Sequence, residues 1–400
     1  MLLKSDILNI VNIQQKNFKE RKAELFRELN NSISLSNFRL LILTGIQSSG
    51  KSTLLFQMFK DNFSDALYIN FEHPRFYNLD ENDLFKLDEI IEEKGNRILF
   101  FDEISKLRKW NNYVSQKLSE GFQIVITGSN ISIINIEIDN EFVGFNSIKE
   151  LFPFSFNEFC AYHTIEKNEE SVFKYLKSGG FPGYLTSKSE EYLNQLFDDL
   201  LVRGVAVRSG IRDVRAFKRL AIHLLSNVGK LVTGNQLKTQ LGIKTTSTVI
   251  DYMAYLESAY LFFYVSKFSY SVRKQMINPR KVYAIDTGLI TANSASFDDS
   301  TGQLLENMVF LHLRKQAVEL YYYADNYNCD FVVMAKNRVE KAIQVCAELK
   351  QDNLENELNG LFEAIEFFEL SEGTIVTMNQ TDRFEKKGKV VNVIPFHLFA

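Results

Sequence analysis

The chain has 400 residues with 46 basic and 50 acidic side chains, a formal net charge of -4 and a hydrophobic content of 45%. This length predicts two to four domains, and the near balance of charge excludes a global field that draws the protein to nucleic acid or anionic membrane. Cys160, Cys329 and Cys346 are not spaced like metal ligands or like the cysteines of a disulfide framework. The sequence contains no unbroken run of about 18 apolar residues, the length that a membrane-spanning helix needs. We therefore expect a cytoplasmic protein with no membrane partner.

The first 35 residues and the region that follows differ in their hydrophobic pattern. In residues 1–35, apolar side chains recur at helical spacing among charged ones, which predicts an amphipathic helical segment. Residues 36–165 instead contain four short apolar runs separated by helical stretches, namely FRLLILTG, ALYINFE, RILFFDE and QIVITGS. Runs that are apolar on both faces are typical of buried parallel strands. We therefore predict an α/β domain with a parallel sheet in residues 36–165.

The rest of the chain divides into three predicted regions. Residues 166–217 are predicted to be helical, with GGFPGYL as a break between helices. In residues 218–275 the order helix, turn, helix, strand predicts a winged helix-turn-helix. Residues 276–400 alternate strands with helices and predict a second, smaller α/β domain.

The segment GIQSSGKS, residues 45–52, matches the phosphate-binding P-loop pattern GxxxxGK[ST] at every fixed position. A predicted strand precedes it and a predicted helix follows it, as such a loop requires; a chance match in a Gly/Ser turn is the alternative. Backbone N–H groups would hold phosphate oxygens, Lys51 would pair with the β- and γ-phosphates of the nucleotide, and Ser52 would hold Mg²⁺. The predicted nucleotide-binding residues are Gly45, Ser48, Ser49, Gly50, Lys51, Ser52 and Thr53.

Two other predicted strands end in polar side chains that suit phosphoryl hydrolysis. RILFFDE ends in Asp102 and Glu103, about 50 residues after Lys51. Asp102 would hold a Mg²⁺-bound water and Glu103 would polarise the attacking water, although a solvated strand edge has the same pattern. QIVITGSN ends in Ser129 and Asn130, either of which would sense the γ-phosphate; an N-cap in a turn is the alternative. The predicted catalytic residues are Lys51, Asp102, Glu103 and Asn130, and the predicted metal ligands are Ser52 and Asp102.

The order of these and later motifs resembles a known family. The segments lie between Leu40 and Leu349: GIQSSGKSTLL, FFDEISKLRKW, ITGSN, LFPFSFNEF, GGFPGYL, STVIDYMAYLESAYLFF, KVYAIDTGL, GQLLENMVF, CDFVV and AIQV. In this order they resemble the prokaryotic AAA-type P-loop ATPases that carry a C-terminal domain of unknown function 4143. The resemblance implies an AAA-like ATPase core in residues 36–165, a winged helix, and a C-terminal domain with a restriction-endonuclease-like fold. It also implies that the nucleotide is ATP.

The resemblance further implies a metal site in the C-terminal domain, from which this sequence departs. The expected ligands are Glu306 in GQLLEN, Asp330 in CDFVV, and an acidic residue followed two positions later by Lys in the strand AIQVC. Gln344 and Cys346 occupy those two positions. A neutral amide is a weaker Mg²⁺ ligand than a carboxylate, and the missing lysine would have supported the attacking water. We therefore expect no nuclease activity; the alternative is that Glu306 and Asp330 are ordinary polar groups at a helix surface and a strand end.

A second departure from the family concerns an arginine. The family has Gly-Arg shortly before LFPFSF, whereas this chain has Gly144-Phe145. An arginine there would help to bind the γ-phosphate, so its absence argues against rapid hydrolysis. Candidate replacements are Arg203, Arg208 and Arg212 in the helical region, although arginines on a helix are usually solvated.

The predicted winged helix carries few basic side chains for a DNA contact. Lys238, Lys244 and the hydroxyl groups of residues 245–248 would contact phosphates, with Thr246, Ser247 and Ile250 on a recognition helix that also carries Asp251 and Glu257. Because DNA affinity scales with the number of neutralised phosphates, use of this region as a protein-packing module is an equal alternative.

These observations predict a Mg²⁺-dependent ATPase or ATP-driven switch whose nucleotide state controls a winged helix and an inactive nuclease-like domain. One alternative is an ATP-regulated DNA-binding factor of a defence system or mobile element. Another is a nucleotide-binding interaction scaffold that does not hydrolyse ATP. A protein partner or a homo-oligomer is compatible with each of them.

Overall fold

The apolar runs of the N-terminal part form a five-stranded parallel sheet. The computed structural model describes residues 2–22, 25–33, 38–77, 79–134, 146–295, 301–316 and 318–400. Met1–Phe152 form one unit and Pro153–Ala400 form another. The strands of the first unit are β1 (Leu40–Thr44), β2 (Leu67–Asn70), β3 (Ile98–Asp102), β4 (Gln123–Gly128) and β5 (Asn146–Glu150). Its α-helices are α1 (Lys4–Glu20), α2 (Lys51–Asp61), α3 (Glu81–Lys94) and α4 (Trp110–Ser119).

The order of strands in this sheet, β2-β3-β4-β1-β5, brings the predicted motifs together. The sheet is buried at β1 to β4 because their residues are apolar on both faces, as predicted. The half-buried β5 was not predicted, because its sequence NSIKE is mostly polar. Since β3, β4 and β1 are neighbours, their carboxyl ends lie at one edge, where open α/β sheets bind ligands.

Helix α1 covers the open edge of β2 with two glutamine side chains. The side-chain amide of Gln15 donates to the Ala66 carbonyl at 3.1 Å and accepts from the Tyr68 N–H at 2.7 Å. Gln14 makes the same pair of bonds with the carbonyl and N–H of Asn70, both at 3.0 Å. Because an unpaired strand edge exposes backbone groups, these bonds satisfy β2 without a sixth strand.

The second unit combines many short helices with one long sheet. Its helices are α5 (Phe156–His163), α6 (Glu169–Ser178), α7 (Pro182–Ser187), α8 (Glu190–Asp199), α9 (Val214–Leu225), α10 (Gly234–Leu241), α11 (Thr246–Ser258), α12 (Val272–Ile277), α13 (Thr287–Asn293), α14 (Thr301–Lys315), α15 (Leu354–Phe367) and α16 (Phe396–Phe399). Its strands are β6 (Leu231–Val232), β7 (Phe262–Lys267), β8 (Arg280–Ala284), β9 (Glu319–Ala324), β10 (Asn328–Ala335), β11 (Arg338–Val345), β12 (Glu372–Thr377), β13 (Asp382–Lys386) and β14 (Lys389–Pro395).

The strands of the second unit form a continuous sheet in the order β13-β14-β12-β11-β10-β9-β7-β8-β6. Strand β7 pairs antiparallel with β8 and parallel with β9, so it joins the strands of the predicted winged helix to those of the C-terminal region. The predicted boundary at residues 275/276 therefore falls between two strands that pair with each other. Single-sequence periodicity identifies strands but carries no information about such non-local pairing.

The predicted break GGFPGYL is held by a buried carboxylate from the motif KVYAIDTGL. Asp286 caps α13 by accepting from the Leu289 N–H at 3.1 Å, and it also accepts from the Gly180 N–H at 2.6 Å. A Cβ atom at Gly179 would collide with this carboxylate, which explains the glycine. Burial raises the pKa of Asp286 to about 6. These two motifs are therefore joined by structural contacts within the second unit.

Candidate functional site

The P-loop follows β1 and leads directly into α2, which begins at Lys51. Three of its residues have positive φ angles, namely Gly45 at +146°, Ser48 at +65° and Gly50 at +98°. A Cβ atom at Gly45 would collide with the Leu151 carbonyl oxygen, so this position requires glycine. The structure therefore gives this segment a tight turn that leads into a helix N-terminus, as anion binding requires.

The Lys51 side chain lies inside the loop and beside the carboxylate of Glu103. Its ammonium group donates to the carbonyls of Gly45 and Ile46, both at 3.1 Å, and lies 3.4 Å from Glu103 Oε1. Only 4% of its side chain is exposed. The structure thus brings the predicted phosphate-binding cation to the predicted catalytic carboxylate.

Two further loop residues have distinct surroundings. The buried hydroxyl of Ser49 has no hydrogen-bond partner among the described residues, which is unusual for a buried polar atom. Ser52, at the first turn of α2, is half-buried. An orphaned hydroxyl and a run of loop N–H groups are the donors that a phosphate chain can satisfy.

Asp102 and Glu103 are held by hydroxyl groups from neighbouring strands. Asp102 is fully buried and accepts from the Tyr68 hydroxyl at 2.7 Å and from the Thr127 hydroxyl at 2.6 Å. The Thr127 hydroxyl also accepts from the Glu103 N–H at 2.8 Å. Glu103 has a φ of +49°, a left-handed conformation that few non-glycine residues adopt and that is concentrated at functional sites. Its carboxylate is thereby aimed toward the loop.

The two predicted γ-phosphate sensors have different positions. The Ser129 hydroxyl donates to Glu103 Oε2 at 3.3 Å, so Ser129 contacts the carboxylate directly. The side-chain oxygen of Asn130 accepts from the Ser132 N–H at 2.7 Å, while its backbone carbonyl accepts from the Thr44 hydroxyl at 3.3 Å. Asn130 therefore makes the turn contact that was the alternative interpretation of this segment, at the carboxyl edge of β4.

A buried arginine that was not predicted from the sequence, Arg27, hydrogen-bonds to the backbone of the P-loop. The guanidinium of Arg27 donates to the carbonyl of Ser49 at 2.6 Å and to that of Phe152 at 2.7 Å. The Arg27 N–H donates to the Gln57 side chain at 3.0 Å, which ties the segment to α2. Arg27 lies in a charged, helix-like stretch, where its spacing gives no signal that distinguishes it from a surface residue.

The predicted replacements for the missing arginine lie in the second unit. Arg203 belongs to a π-helical segment, Leu200–Ala206, and lies 3.4 Å from Asp199 with 82% of its side chain exposed. Gly144-Phe145, where the family has Gly-Arg, lie outside the described residues.

The carboxylates predicted for the nuclease-like site do come together, but around a lysine. Lys281 Nζ lies 2.6 Å from Asp330 Oδ1 and 2.9 Å from Glu306 Oε1, and all three side chains are nearly buried. Tyr283 donates to the same Glu306 oxygen at 2.6 Å. Burial alone would lower the pKa of Lys281, but the charges of Asp330 and Glu306 raise it above its usual value. A protonated ammonium group therefore lies between the two acids.

Gln344 and Cys346, the two departures from the family pattern, have hydrogen-bond partners of their own. Gln344 accepts from the Asp330 N–H at 3.0 Å and donates to Glu357 at 2.6 Å. The Cys346 thiol donates to the Glu348 carbonyl at 3.1 Å, and burial raises its pKa to about 11. In the part of the chain that the structure describes, no group of three or more His, Cys, Asp or Glu side chains is arranged to hold a metal ion.

The threonines of the predicted recognition helix are used in local bonds. The Thr245 hydroxyl caps α11 by accepting from the Thr248 N–H at 3.1 Å, and the Thr246 hydroxyl donates to Asn235 at 2.7 Å. Ile250 is 56% exposed on the same helix. The Thr246 hydroxyl therefore connects α11 to α10, a contact that the sequence alone did not indicate.

Family models match two parts of the chain. Residues 37–160 match the model described as an AAA domain, a class of P-loop nucleotide-binding domain, in agreement with the predicted core. Residues 169–300 match the model "Domain of unknown function (DUF8612)". The predicted match to domain of unknown function 4143 is therefore wrong, because moderately specific motifs in a shared order do not separate one family of this type from another.

Two relatives align with most of the chain. "Uncharacterized protein MJ1544" of Methanocaldococcus jannaschii is 32% identical, with the alignment covering 91% of this chain and 88% of the relative. An "Uncharacterized protein" of Haemophilus influenzae is 26% identical over 79% of this chain and 84% of its own length. Within the described residues, no helix is both long and apolar enough to span a membrane.

Proposed function

Because the chain belongs to the protein family of this archaeal relative and contains an AAA domain, we propose that it is a Mg²⁺-dependent ATPase or ATP-driven switch. The observation that carries the proposal is the position of Lys51, 3.4 Å from Glu103, where the P-loop meets the carboxyl ends of β3 and β4. A phosphate-binding cation and a catalytic carboxylate are needed side by side for phosphoryl transfer to water.

We assign the binding of the phosphates to the loop and the start of α2. Lys51 exchanges its bonds to the Gly45 and Ile46 carbonyls for bonds to phosphate oxygens, and the orphaned Ser49 hydroxyl gains a partner. The remaining nucleotide-binding positions are Gly45, Ser48, Gly50, Ser52 and Thr53.

The predicted metal ligands fit Mg²⁺ in chemical type. Ser52 and Asp102 offer the hard oxygen atoms that Mg²⁺ prefers, and each Asp102 oxygen has a second lone pair beside its bond to Tyr68 or Thr127. When bound, Mg²⁺ neutralises developing charge on the phosphates. Thr127 and Ser129 hold the Asp102-Glu103 pair in place, Glu103 accepts a proton from the attacking water, and either Asn130 or Ser129 senses the γ-phosphate.

We further infer that α9, α10, α11 and β7 form the winged helix predicted in residues 218–275, and that the strands from β9 to β12 belong to the restriction-endonuclease-like domain predicted in residues 276–400. The support for the second assignment is the antiparallel β9-β10-β11 meander, followed by α15 and by β12 parallel to β11. We also propose that the protein is cytoplasmic and has a DNA or protein partner.

The test is ATP turnover by the wild-type protein and by Lys51→Ala, each with and without double-stranded DNA. We expect Mg²⁺-dependent phosphate release by the wild type and none above background by Lys51→Ala. Stimulation by DNA would favour the DNA-binding alternative, and ATP binding without phosphate release would favour the scaffold. A wild-type protein that neither binds nor hydrolyses ATP would contradict the proposal.

The Lys281 cluster predicts that the C-terminal domain does not cleave DNA. Because an ammonium group is placed between Glu306 and Asp330, a divalent cation would face a positive charge at 2.6 to 2.9 Å from its ligands. Plasmid DNA incubated with the protein and Mg²⁺ or Mn²⁺ should stay supercoiled. Cleavage that disappears in Asp330→Ala would show that this prediction is wrong.

A further inference from the structure

A cavity of about 420 Å³ lies between α1 and the end of β2. Its wall includes Asn17 of α1 and Arg21, the residue that follows α1. It also includes Tyr68 and Asn70 of β2, and Glu72 and His73 of the next segment. Several of these groups are polar or charged, so the cavity offers contacts to a charged ligand. No part of the predicted nucleotide site accounts for it.

One side of the cavity reaches the first turn of α2. Arg21 Nη2 donates to the Thr53 hydroxyl at 2.8 Å, and Thr53 is the residue after Ser52. The N–H groups of this turn face the position of a bound phosphate chain. The guanidinium of Arg21 therefore lies within hydrogen-bond distance of Thr53, a predicted nucleotide-binding residue.

Tyr68, a residue of the cavity wall, contacts one of the predicted catalytic carboxylates. Its hydroxyl donates to Asp102 Oδ2 at 2.7 Å. Burial, followed by the charge of Glu103, raises the pKa of Glu72, another residue of the cavity wall. Tyr68 therefore connects the cavity wall to Asp102, and Arg21 is an exposed residue of the same wall.

The contacts of α1 with β2 fix the backbone position of Arg21. Phe18, one turn earlier, stacks on Tyr68 with ring centroids 3.9 Å apart and planes within 6°. The Arg21 N–H closes the helix by donating to the Phe18 carbonyl. Together with the Gln14 and Gln15 bonds to β2, this contact fixes the end of α1 at the cavity.

We propose that Arg21 binds the polyphosphate chain of the nucleotide, within the same unit as the P-loop. Guanidinium groups form strong bidentate bonds with phosphate, and an exposed arginine whose present bond is to a neutral hydroxyl gains from such a ligand. The inference rests on the proposed ATP site, and it links α1 and its contact with Tyr68 to the nucleotide state.

The experiment is equilibrium binding of Mg²⁺-ATP, Mg²⁺-ADP and AMP to the wild type, Arg21→Ala, Arg21→Lys, Lys19→Ala and Lys51→Ala. Lys19 is a matched control because it is an exposed cation on the last turn of α1. We expect Arg21→Ala to weaken ATP binding about 10- to 100-fold, as for loss of a charge-assisted bond, with partial recovery in Arg21→Lys. Arg21→Ala should weaken the binding of AMP less than that of ATP, because AMP lacks the polyphosphate chain.

The controls separate this inference from the proposed function. Equal ATP affinity of Arg21→Ala and Lys19→Ala, in a protein whose ATP binding is weakened by Lys51→Ala, overturns the role of Arg21 and leaves the ATP site standing. Failure of the wild type to bind ATP overturns both. A purely structural role for Arg21 predicts a lower melting temperature without nucleotide and an equal loss for ATP and AMP, which would also overturn the inference.

Discussion

Glu103→Gln is expected to lower ATP turnover by about 100-fold or more, the range typical for loss of a general base. Glutamine keeps the size of the side chain and retains an oxygen that can accept from Ser129, but it cannot take the proton of an attacking water. ATP affinity should change much less, because the phosphates are held by Lys51 and by backbone N–H groups. Removal of the negative charge 3.4 Å from Lys51 should even strengthen binding slightly.

The measurement is steady-state phosphate release together with ATP affinity for the wild type, Glu103→Gln and Glu92→Gln. Glu92 is an exposed glutamate on α3 of the same unit and serves as the control for loss of one acidic charge. Turnover by Glu103→Gln equal to that of Glu92→Gln would remove Glu103 from the catalytic role.

Lys281→Met is expected to destabilise the second unit by about 3–5 kcal/mol, the usual result of removing one partner of a buried ion pair. The substitution leaves Glu306 and Asp330 facing each other without a counter-ion. Burial, with the charge of Asp330, already raises the pKa of Glu306 in the wild type, and loss of Lys281 should raise it further. When the pKa of a carboxyl group is raised on folding, the free energy of unfolding falls as the pH rises through that pKa. The loss of stability in Lys281→Met should therefore be larger at pH 8 than at pH 6.

Urea unfolding of wild type, Lys281→Met and Lys244→Met measures this effect, with Lys244 as an exposed lysine of the same unit. Trp110, the one tryptophan of the chain, lies in the first unit, so its fluorescence is an internal control while circular dichroism follows the whole protein. The triple variant Lys281→Met/Glu306→Gln/Asp330→Asn should recover most of the loss. A deficit in Lys281→Met no larger than in Lys244→Met would contradict the account of the cluster.

The parts of the structure that the sequence predicted are those encoded in short contiguous segments. The P-loop, the Asp102-Glu103 pair and the four strands β1 to β4 each combine a local pattern with local geometry. The sequence of one strand, AIQVC, also shows that position 344 has no carboxylate. These features need no knowledge of what packs against them.

The parts that were missed depend on contacts between distant positions. Arg27 contacts the P-loop and Arg21 contacts the first turn of α2, both from a segment that resembles a surface helix. Lys281 contacts Asp330 across 49 positions of the chain. The pairing of β7 with β9 is equally non-local. The error about domain of unknown function 4143 has a related cause, because motif order constrains a family less than a full-length comparison does.

The most direct test of the central claim is calorimetric titration of Mg²⁺-ATP into the wild type, Lys51→Ala and Lys60→Ala. Lys60 is an exposed lysine at the last turn of α2, so it controls for loss of one positive charge on that helix. We expect one ATP per chain for the wild type and Lys60→Ala, and affinity lowered by about 10- to 150-fold in Lys51→Ala. Equal ATP affinity of all three proteins, or no binding by any of them, would contradict the assignment of an ATP site at this loop.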